Sequence, residues 1–393
     1  MSSVTAALLT VPDTHCGLYV HVPFCVRKCC YCDFPSIPPS DAQCIAQYLV
    51  ALTGEARQRR MEFDRPLHSI YIGGGTPTLL SPEQLTQLWH DVIAPFPRLP
   101  EVEITLEANP GTLTEEKLAV IAALPITRVS LGVQSFAADT LRILGRIHSP
   151  EEAESSVHAL RAAGIRQVNM DLMYGLPEQT VAEWEATLRR AISLQPDHLS
   201  CYALILEEDT PLFRKIQAGD YALPGEETVI AMLATTERLL TAAGLMPYEV
   251  SNAALPGAHS RHNLGYWLGR DYLGLGAAAS STVAGVRWRN IAEVSTYTTR
   301  CQEALPVVAY SERLSAPERL LERVMLGLRL YNGFDLPAAE MDCGISLTAI
   351  TGPTVQALIA EGLLMQQRER LCLTATGFPL ANQVVTRLMA ASG

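Results

Sequence analysis

Short apolar runs rich in β-branched and aromatic residues alternate with longer amphipathic runs between residues 17 and 245, and this alternation restricts the possible fold more than any other feature. Runs of the first kind are typical of strands, and the amphipathic runs are typical of helices. Strands that are separated by a helical crossover pair in parallel. The alternation therefore predicts an α/β fold with six strand–helix units, which suits a partial (β/α)6 barrel; an open doubly wound sheet is the alternative. The six predicted strands are LYVHV (18–22), SIYIGG (69–74), VEITLEA (102–108), RVSLGVQ (128–134), QVNMDLMYG (167–175) and HLSCYALI (198–205).

Two of the helical runs carry clear start signals. The run SPEQLTQLWHDVIAPF begins with Ser81 as a predicted N-cap, and proline and glutamate follow in the first turn. In the run LTEEKLAVIAAL, Thr114 is the predicted N-cap. In either fold the chemistry is expected on the loops that follow the strands, so polar residues at those points are the first candidates for a site.

The length and charge of the chain limit its class. A chain of 393 residues with 48% hydrophobic residues is a folded globular protein that is too long for one ordinary core. Its formal net charge of −11 argues against a nucleic-acid partner, because nucleic-acid binders usually carry a basic field. The N-terminal residues lack the basic start of a secretory signal, and no stretch of about 18 apolar residues would span a membrane. We therefore expect a cytoplasmic protein without a transmembrane segment, whose thiols stay reduced.

The character of the sequence changes after about residue 250. The stretch from 260 to 290 is rich in glycine and aromatic residues and is typical of irregular structure with short β pieces. A helical run is predicted from Ser311, and a second helix, a strand pair and a last helix follow, which is a winged-helix-like layout. The predicted domains are an N-terminal tail (1–16), the barrel (17–245), a β-rich extension (246–310) and the winged-helix-like module (311–393).

The stretch CVRKCCYCDF (25–34) contains four cysteines. In a reducing compartment, clustered cysteines indicate metal ligands or catalysts. Structural zinc takes four ligands, usually from two segments far apart in sequence, and the chain has no second such segment. Three thiolates from one loop instead suit a [4Fe–4S] cluster whose fourth iron stays open to a small molecule. The spacing alone leaves open whether Cys29 or Cys30 is the ligand between Cys25 and Cys32, and a zinc-clipped scaffold is the alternative.

The longer stretch YVHVPFCVRKCCYCDF (19–34) resembles the first motif of the radical S-adenosylmethionine (SAM) enzymes, and in particular the YxHIPFCxxxCxYC pattern of their HemN/HemW group. The resemblance implies a radical SAM barrel, a [4Fe–4S] cluster held by Cys25, Cys29 and Cys32, and SAM bound at the open iron. Cys30 stands where the group commonly has proline, so the resemblance does not assign it as a ligand. It also implies that an electron enters the cluster and that SAM is cleaved reductively.

Glycines and polar residues follow the predicted strands, where a ligand of the barrel would lie. The segment YIGGGTPT (71–78) has three glycines, whose missing side chains let the backbone approach a bound molecule. Arg146 suits a carboxylate as a bidentate donor. Taken singly, each polar residue is about as well explained as a hydrogen-bonded residue of the barrel mouth. By resemblance to the HemN/HemW group, the SAM contacts are Tyr19, Gly74, Gly75, Thr76, Glu107, Gln134, Arg146 and Asp171.

The resemblance implies two possible functions of different class, a HemW-type haem chaperone and an oxygen-independent coproporphyrinogen III dehydrogenase. The dehydrogenase pattern has a further cysteine at the position of Phe34, and a longer extension before its cluster than the 24 residues that precede Cys25. The segment SRHNLGYW (260–267) resembles the HNxxYW signature of the HemW type. We therefore expect a haem chaperone, with no catalytic residue assigned, in which His262 ligates haem b. The alternative for His262 is a structural histidine.

One segment departs from the pattern of the group. The group commonly reads GxGxGAHS after the HNxxYW signature, but the chain reads GLGAAASS (274–281), so Ala278 replaces a glycine and Ser280 replaces a histidine. A second haem ligand is therefore left open. The partners that the resemblance implies are haem, a haem-acceptor protein such as a respiratory one, and an electron donor such as flavodoxin or ferredoxin.

Overall fold

Six parallel strands form the centre of the fold and lie side by side in chain order. The computed structural model describes residues 15–391, so the predicted tail (1–16) lies almost wholly outside the described residues. The partial (β/α)6 barrel is confirmed, and the doubly wound alternative is wrong, because such a sheet reverses its strand order at a switch point. The parallel strands are β1 (Cys16–Val22), β2 (Leu67–Gly74), β3 (Arg98–Ala108), β4 (Arg128–Gln134), β5 (Gln167–Tyr174) and β6 (His198–Ala203).

Helices connect the parallel strands, so that the carboxyl ends of all six strands meet at one edge. Both predicted caps are confirmed, because the side chains of Ser81 and Thr114 accept hydrogen bonds from the backbone N–H groups three residues later. These helices are α1 (Ala42–Glu62), α2 (Pro82–Gln87, continued by a π-helical turn over Leu88–Ile93), α3 (Glu115–Ala123), α4 (Ala138–Leu144), α5 (Pro150–Ala162) and α6 (Val181–Ser193).

Further strands extend the parallel sheet at both edges, to twelve strands within the described residues. On one side β8 runs antiparallel to β6 and pairs with β7, and on the other side β9 runs parallel to β1 and is followed by three antiparallel strands. The predicted β-rich extension is therefore part of the barrel sheet. Its strands are β7 (Met246–Glu249), β8 (Asn252–Ala254), β9 (Tyr272–Leu275), β10 (Ser280–Val283), β11 (Val286–Asn290) and β12 (Val308–Arg313). The helices between β6 and β12 are α7 (Pro211–Gln217), α8 (Glu226–Ala242), α9 (Arg261–Trp267) and α10 (Val294–Gln302).

Two local predictions differ from the structure. The HNLGYW segment, expected to be irregular, forms helix α9 because Ser260 caps it by accepting the N–H of Asn263. The helical run expected from Ser311 begins later, because residues up to Arg313 pair with β11 as an edge strand. The helix then starts after Ser315, whose side chain forms a capping box with Glu318.

The C-terminal residues form a module with its own hydrophobic core, to which Leu320, Leu358 and Leu388 contribute. Its helices and small three-stranded sheet confirm the winged-helix-like layout, while the domain boundaries remain predictions. None of the helices in the described part of the chain is long and apolar enough to cross a membrane. The elements of the module are α11 (Ala316–Gly327), β13 (Phe334–Asp335), α12 (Leu336–Cys343), α13 (Leu347–Thr351), α14 (Thr354–Ala360), β14 (Leu364–Gln367), β15 (Arg370–Leu373) and α15 (Ala381–Ala390).

The GLGAAASS segment is fixed against α1 by one buried carboxyl group. Glu55 accepts hydrogen bonds from the Gly276 N–H (2.8 Å), the Asn290 side chain (2.6 Å) and the Tyr297 hydroxyl (2.6 Å). Burial raises the pKa of Glu55. The segment is thus held rigidly between α1 and α10.

Ala278 lies in this rigid segment with a φ of 58°, in the left-handed region that disfavours residues with a Cβ atom. We expect Ala278→Gly to raise the free energy of unfolding by about 1 kcal/mol, because relief of the backbone strain exceeds the entropy that glycine adds to the unfolded chain. Chemical denaturation measures the change. Ala277→Gly is the control, since Ala277 is equally buried but lacks a positive φ, and it should destabilise the protein. A stability loss in Ala278→Gly equal to that of the control would contradict the prediction.

Candidate functional site

Residues 23–35, which we call the cysteine loop, follow β1 and are hydrogen-bonded to the segment that follows β2. The Gly75 N–H donates to the Val22 carbonyl (2.9 Å), and the Thr76 N–H donates to the Phe24 carbonyl (2.7 Å). A Cβ atom on Gly75 would lie 2.6 Å from the Phe24 carbonyl oxygen, so this approach requires glycine. The loop that carries the thiols is therefore placed directly beside residues 71–78, which we call the glycine segment.

The two adjacent cysteines face different surroundings. The Cys30 N–H donates to the Leu144 carbonyl (3.2 Å), its thiol donates to the Ile143 carbonyl (2.9 Å), and its own carbonyl accepts the Leu212 N–H (2.8 Å). Burial raises the pKa of the Cys30 thiol. Cys30 thus ties the loop to the ends of α4 and α7, whereas Cys29 faces a guanidinium group.

A hydrogen-bonded path connects two of the predicted cluster ligands. The guanidinium of Arg146 lies with Nη1 3.6 Å from the Cys29 sulfur, and its Nη2 donates to Asn109 Oδ1 (2.6 Å). Asn109 Nδ2 donates to the Thr76 hydroxyl (2.7 Å), which donates to the Cys25 sulfur at 3.6 Å. A positive charge and a hydroxyl donor at these positions stabilise negative charge on sulfur, which is the form that binds iron.

Asn109 is a site residue that the sequence reasoning missed. It lies two residues after Glu107, in the same LEANP stretch at the end of β3, so its position at a strand end was the available signal. Its amide group accepts from Arg146 through the oxygen and donates to Thr76 through the nitrogen. An ionised carboxylate could not replace it, because a carboxylate accepts only.

The donor set fits an iron–sulfur cluster better than a single metal ion. Within residues 15–391 no three His, Cys, Asp or Glu side chains are gathered closely enough to hold one ion. A cubane cluster takes one thiolate on each of three irons, so its ligands stand farther apart than those of a single ion. Cys25, Cys29 and Cys32 supply three free, half-buried thiols on one loop, with Arg146 beside Cys29, and this number of thiols suits a cluster.

Glu107 is held at the end of β3 by two donors. The Tyr71 hydroxyl donates to Oε1 (2.7 Å), and the Gly74 N–H donates to Oε2 (3.0 Å). A Cβ atom on Gly73 would lie 2.9 Å from the Glu107 carboxyl carbon, so the glycine segment also makes room for this side chain. Burial raises the pKa of Glu107 to about 7, and the nearby Asp171 carboxyl adds to the rise.

Asp171 belongs to a separate network on the same inner face. It accepts from the Ser130 hydroxyl (2.9 Å) and from Asn169 Nδ2 (2.8 Å), and Asn169 in turn bonds to His198 (2.7 Å). Burial raises the pKa of Asp171. The structure therefore brings Asp171 to the barrel interior with Glu107, but both carboxylate oxygens of Asp171 already accept hydrogen bonds from protein side chains.

Gln134 and Tyr19 complete the predicted set. Gln134 has a φ of 67°, and a Cβ atom built on Gly132 would lie 3.2 Å from its Nε2 and 3.4 Å from the Arg146 guanidinium, which places these two side chains together. The Tyr19 hydroxyl bonds to His21 Nδ1 (2.9 Å), and His21 Nε2 bonds to the carbonyl that ends the cysteine loop, at Pro35 (2.9 Å).

His262, the predicted haem ligand, lies on α9 and is only 2% exposed. Its Nδ1 bonds to the Ser69 hydroxyl (3.0 Å), and its Nε2 bonds to the Tyr266 hydroxyl (2.8 Å). Burial lowers the pKa of the ring to about 3. The space beside the ring, which Ser69, Tyr266 and Tyr272 help to line, is too small for even a water molecule. Both ring nitrogens are thus engaged in this conformation, which favours the structural alternative over iron ligation.

Two further positions bear on the haem-related predictions. Ser280, which replaces the expected histidine, begins β10 opposite Arg289. Phe34, at the position of the further cysteine in the dehydrogenase pattern, has 66% of its surface exposed.

The chain matches known proteins over most of its length. The family model of the Radical SAM superfamily matches residues 19–191, and that of the HemN C-terminal domain matches residues 314–380. "Heme chaperone HemW" of Mycobacterium tuberculosis is 37% identical over 97% of this chain and 97% of its own length. The protein of the same name from Escherichia coli K12 is 34% identical over 95% and 98%.

Among solved structures, coproporphyrinogen III oxidase (HemN) from Escherichia coli, described as a radical SAM enzyme, superposes with a TM-score of 0.85 at 25% identity. The match covers 99% of this chain and 93% of that one. The architecture is therefore common to both types of the group, while the identities are higher to the proteins named HemW. The chain belongs to the HemW family of the radical SAM superfamily.

Proposed function

We propose that the chain is a haem chaperone that binds a [4Fe–4S] cluster, SAM and haem b, and that delivers haem to an acceptor protein. The observation that carries the cluster part of the proposal is the path Cys29–Arg146–Asn109–Thr76–Cys25, because it joins two thiols of the loop through a positive charge at the mouth of the barrel. The names and near full-length coverage of the HemW relatives support the chaperone role.

The cluster is held by Cys25, Cys29 and Cys32, with Arg146 as the charged neighbour of Cys29. When bound, the cluster supplies an electron to SAM at its open iron. Glu107 accepts from hydroxyl or amine groups of SAM, because its carboxylate faces the barrel interior beside the glycine segment. Asn109 aligns Arg146 and Thr76, and Tyr19 keeps the end of the loop in place through His21. Asp171, Gln134 and the glycine segment line the same mouth.

The partners follow from this role. The electron donor is a small redox protein such as flavodoxin or ferredoxin, and the haem acceptor is a respiratory or other haem protein. The protein works in the cytoplasm. Haem binds outside the closed His262 pocket, because both ring nitrogens of that histidine have protein partners.

A second candidate function is oxygen-independent coproporphyrinogen III dehydrogenation, which the TM-score of 0.85 to HemN supports. The exposed Phe34 stands against it, because the dehydrogenase pattern has a cysteine there. The names of the HemW relatives also favour the chaperone.

Anaerobic haem titration of the cluster-reconstituted protein, followed in the Soret band, tests the proposal. We expect saturable binding near one haem per chain, and transfer of that haem to an apo-haem protein. The same sample is then incubated with coproporphyrinogen III, SAM and a reductant, where we expect no product. Turnover to protoporphyrinogen IX, or titration without saturation, would overturn the chaperone role.

A further inference from the structure

Three aromatic rings form a row between α9 and the cysteine loop. The ring of His262 stacks on Tyr71 with 5.2 Å between centroids and 29° between planes. Tyr71 stacks on Tyr19 with 6.2 Å between centroids and 22° between planes. We call these three residues the ring row. It crosses from the HNLGYW helix to the first strand of the barrel.

Hydrogen bonds fix both ends of the ring row. At one end His262 is held by Ser69 and Tyr266 through its two ring nitrogens. At the other end the Tyr19 hydroxyl bonds to His21, which bonds to the last carbonyl of the cysteine loop. A row that is fixed at both ends has little freedom to shift its central ring.

The helix that carries His262 is itself anchored on the strand that carries Glu107. The backbone N–H groups of Arg261 and His262 donate to the two carboxylate oxygens of Glu103, at 2.9 and 3.1 Å. Glu103 and Glu107 both lie on β3. The position of the imidazole is therefore set relative to the same strand as the site carboxylate.

The central ring of the row is the one that reaches Glu107. The Tyr71 hydroxyl donates to Glu107 Oε1 at 2.7 Å, and the neighbouring imidazole and phenol rings restrict the Tyr71 ring to the orientation that allows this bond. Without the imidazole, the Tyr71 ring gains freedom to rotate away. Oε1 would then lose a donor while Asp171 remains close.

We propose that His262 is a positioning residue of the SAM site, which acts through Tyr71 on Glu107. The proposal rests on the proposed binding of SAM at Glu107 and assigns no part in iron ligation to the HNLGYW histidine. The imidazole acts as a flat, neutral support for the phenol, and a hydrogen bond at each ring nitrogen holds it in place. Tyr71 is then a second site residue, since its hydroxyl contacts the carboxylate directly.

The affinity for SAM of the cluster-reconstituted protein tests the proposal. We expect Tyr71→Phe and His262→Ala each to weaken SAM binding about tenfold, the effect of one lost hydrogen bond to a charged group. The double variant should be no weaker than the single variants, because both act through one bond. His262→Phe should recover much of the affinity, because phenylalanine restores a flat ring against Tyr71 but cannot ligate iron.

Tyr297→Phe is the matched control. Tyr297 is also a buried phenol that donates to a buried carboxylate, Glu55, at 2.6 Å, but its ring packs against Tyr48 on α1 and not against a member of the ring row. This variant should lose stability without losing SAM affinity. Thermal unfolding of every variant separates a loss of fold from a loss of positioning.

The outcomes separate the two levels of the proposal. If wild-type protein with an intact cluster does not bind SAM, the proposed function fails, and the positioning role fails with it. If wild type binds SAM but Tyr71→Phe and His262→Ala bind it equally well, only the positioning role is overturned. If both His262→Ala and His262→Phe lose haem and keep SAM, His262 is a haem ligand and the inference is wrong.

Discussion

Cys29→Ala is expected to abolish the [4Fe–4S] cluster, whereas Cys30→Ala is expected to retain it. The two cysteines are adjacent, but Cys30 directs its thiol to the Ile143 carbonyl at 2.9 Å, and Cys29 lies beside the Arg146 guanidinium. A cubane that loses one of three protein ligands is no longer held by the loop. Cys30→Ala removes one side-chain hydrogen bond, at a cost of about 1 kcal/mol in stability.

Iron and sulfide contents after anaerobic reconstitution, with the visible absorption and the EPR signal of the reduced cluster, measure this difference. Cys44→Ala is the control, because it removes another half-buried thiol that lies on α1 outside the loop. The assignment fails if Cys30→Ala is colourless and Cys29→Ala is not. Protein that carries zinc without sulfide in the wild type would instead support a zinc-clipped scaffold.

The binding of SAM is expected to weaken as the pH falls below about 7. The pKa of Glu107 is raised to about 7 by burial, so the carboxyl group loses its negative charge as the pH drops through that value. Protonation removes acceptor capacity that hydroxyl or amine groups of SAM require, and affinity should fall by up to about tenfold per pH unit. Titration of the reconstituted protein with SAM between pH 6 and 8 measures the profile.

Charged and titratable groups around Glu107 shape this profile. Loss of the Tyr71 hydroxyl removes a donor that lowers the pKa of Glu107, so Tyr71→Phe should shift the midpoint to higher pH. The titratable groups that interact electrostatically with Glu107 are Tyr19, Tyr71, Asp171, Tyr202 and Tyr266.

Two glutamine variants separate Glu107 from other groups. Glu107→Gln should bind SAM weakly and show a flat profile. Burial also raises the pKa of Glu249 to about 7, but Glu249 lies at the end of β7 beside the C-terminal module, so Glu249→Gln should leave the profile unchanged. A profile that survives Glu107→Gln would show that another group controls the pH dependence.

The core elements were predictable because their causes are local. The six parallel strands follow from runs of apolar and β-branched residues, and the N-caps at Ser81 and Thr114 follow from the side chain that is present at one position. The edge strand at 308–313 was not predictable in the same way. Its pairing partner, β11, decides its conformation, and the sequence of the segment alone is also compatible with a helix.

The site was predictable in its residue types but not in its contacts. Motif resemblance placed Glu107 and Thr76 at strand ends and Arg146 on or after a helix, and the structure brings all three to the same edge of the barrel. Asn109 was missed because its importance comes from touching two of these residues at once. His262 was expected to ligate haem because of its place in the HNxxYW-like segment, with a structural histidine as the alternative. The structure surrounds it with Ser69, Tyr71 and Tyr266.

The sequence by itself determined the six strand–helix units, the position of the cysteine loop after β1 and the three-thiolate character of the site. These depend on residue type and spacing, which act over a few neighbouring residues. Spacing did not distinguish Cys29 from Cys30, and only the tertiary structure shows that Cys30 directs its thiol to the Ile143 carbonyl while Cys29 lies beside Arg146. That direction depends on a hydrogen bond to Ile143, 113 residues away in the chain, and on one from Leu212. Spacing contains no information about such partners, because chain folding alone brings them within hydrogen-bonding distance.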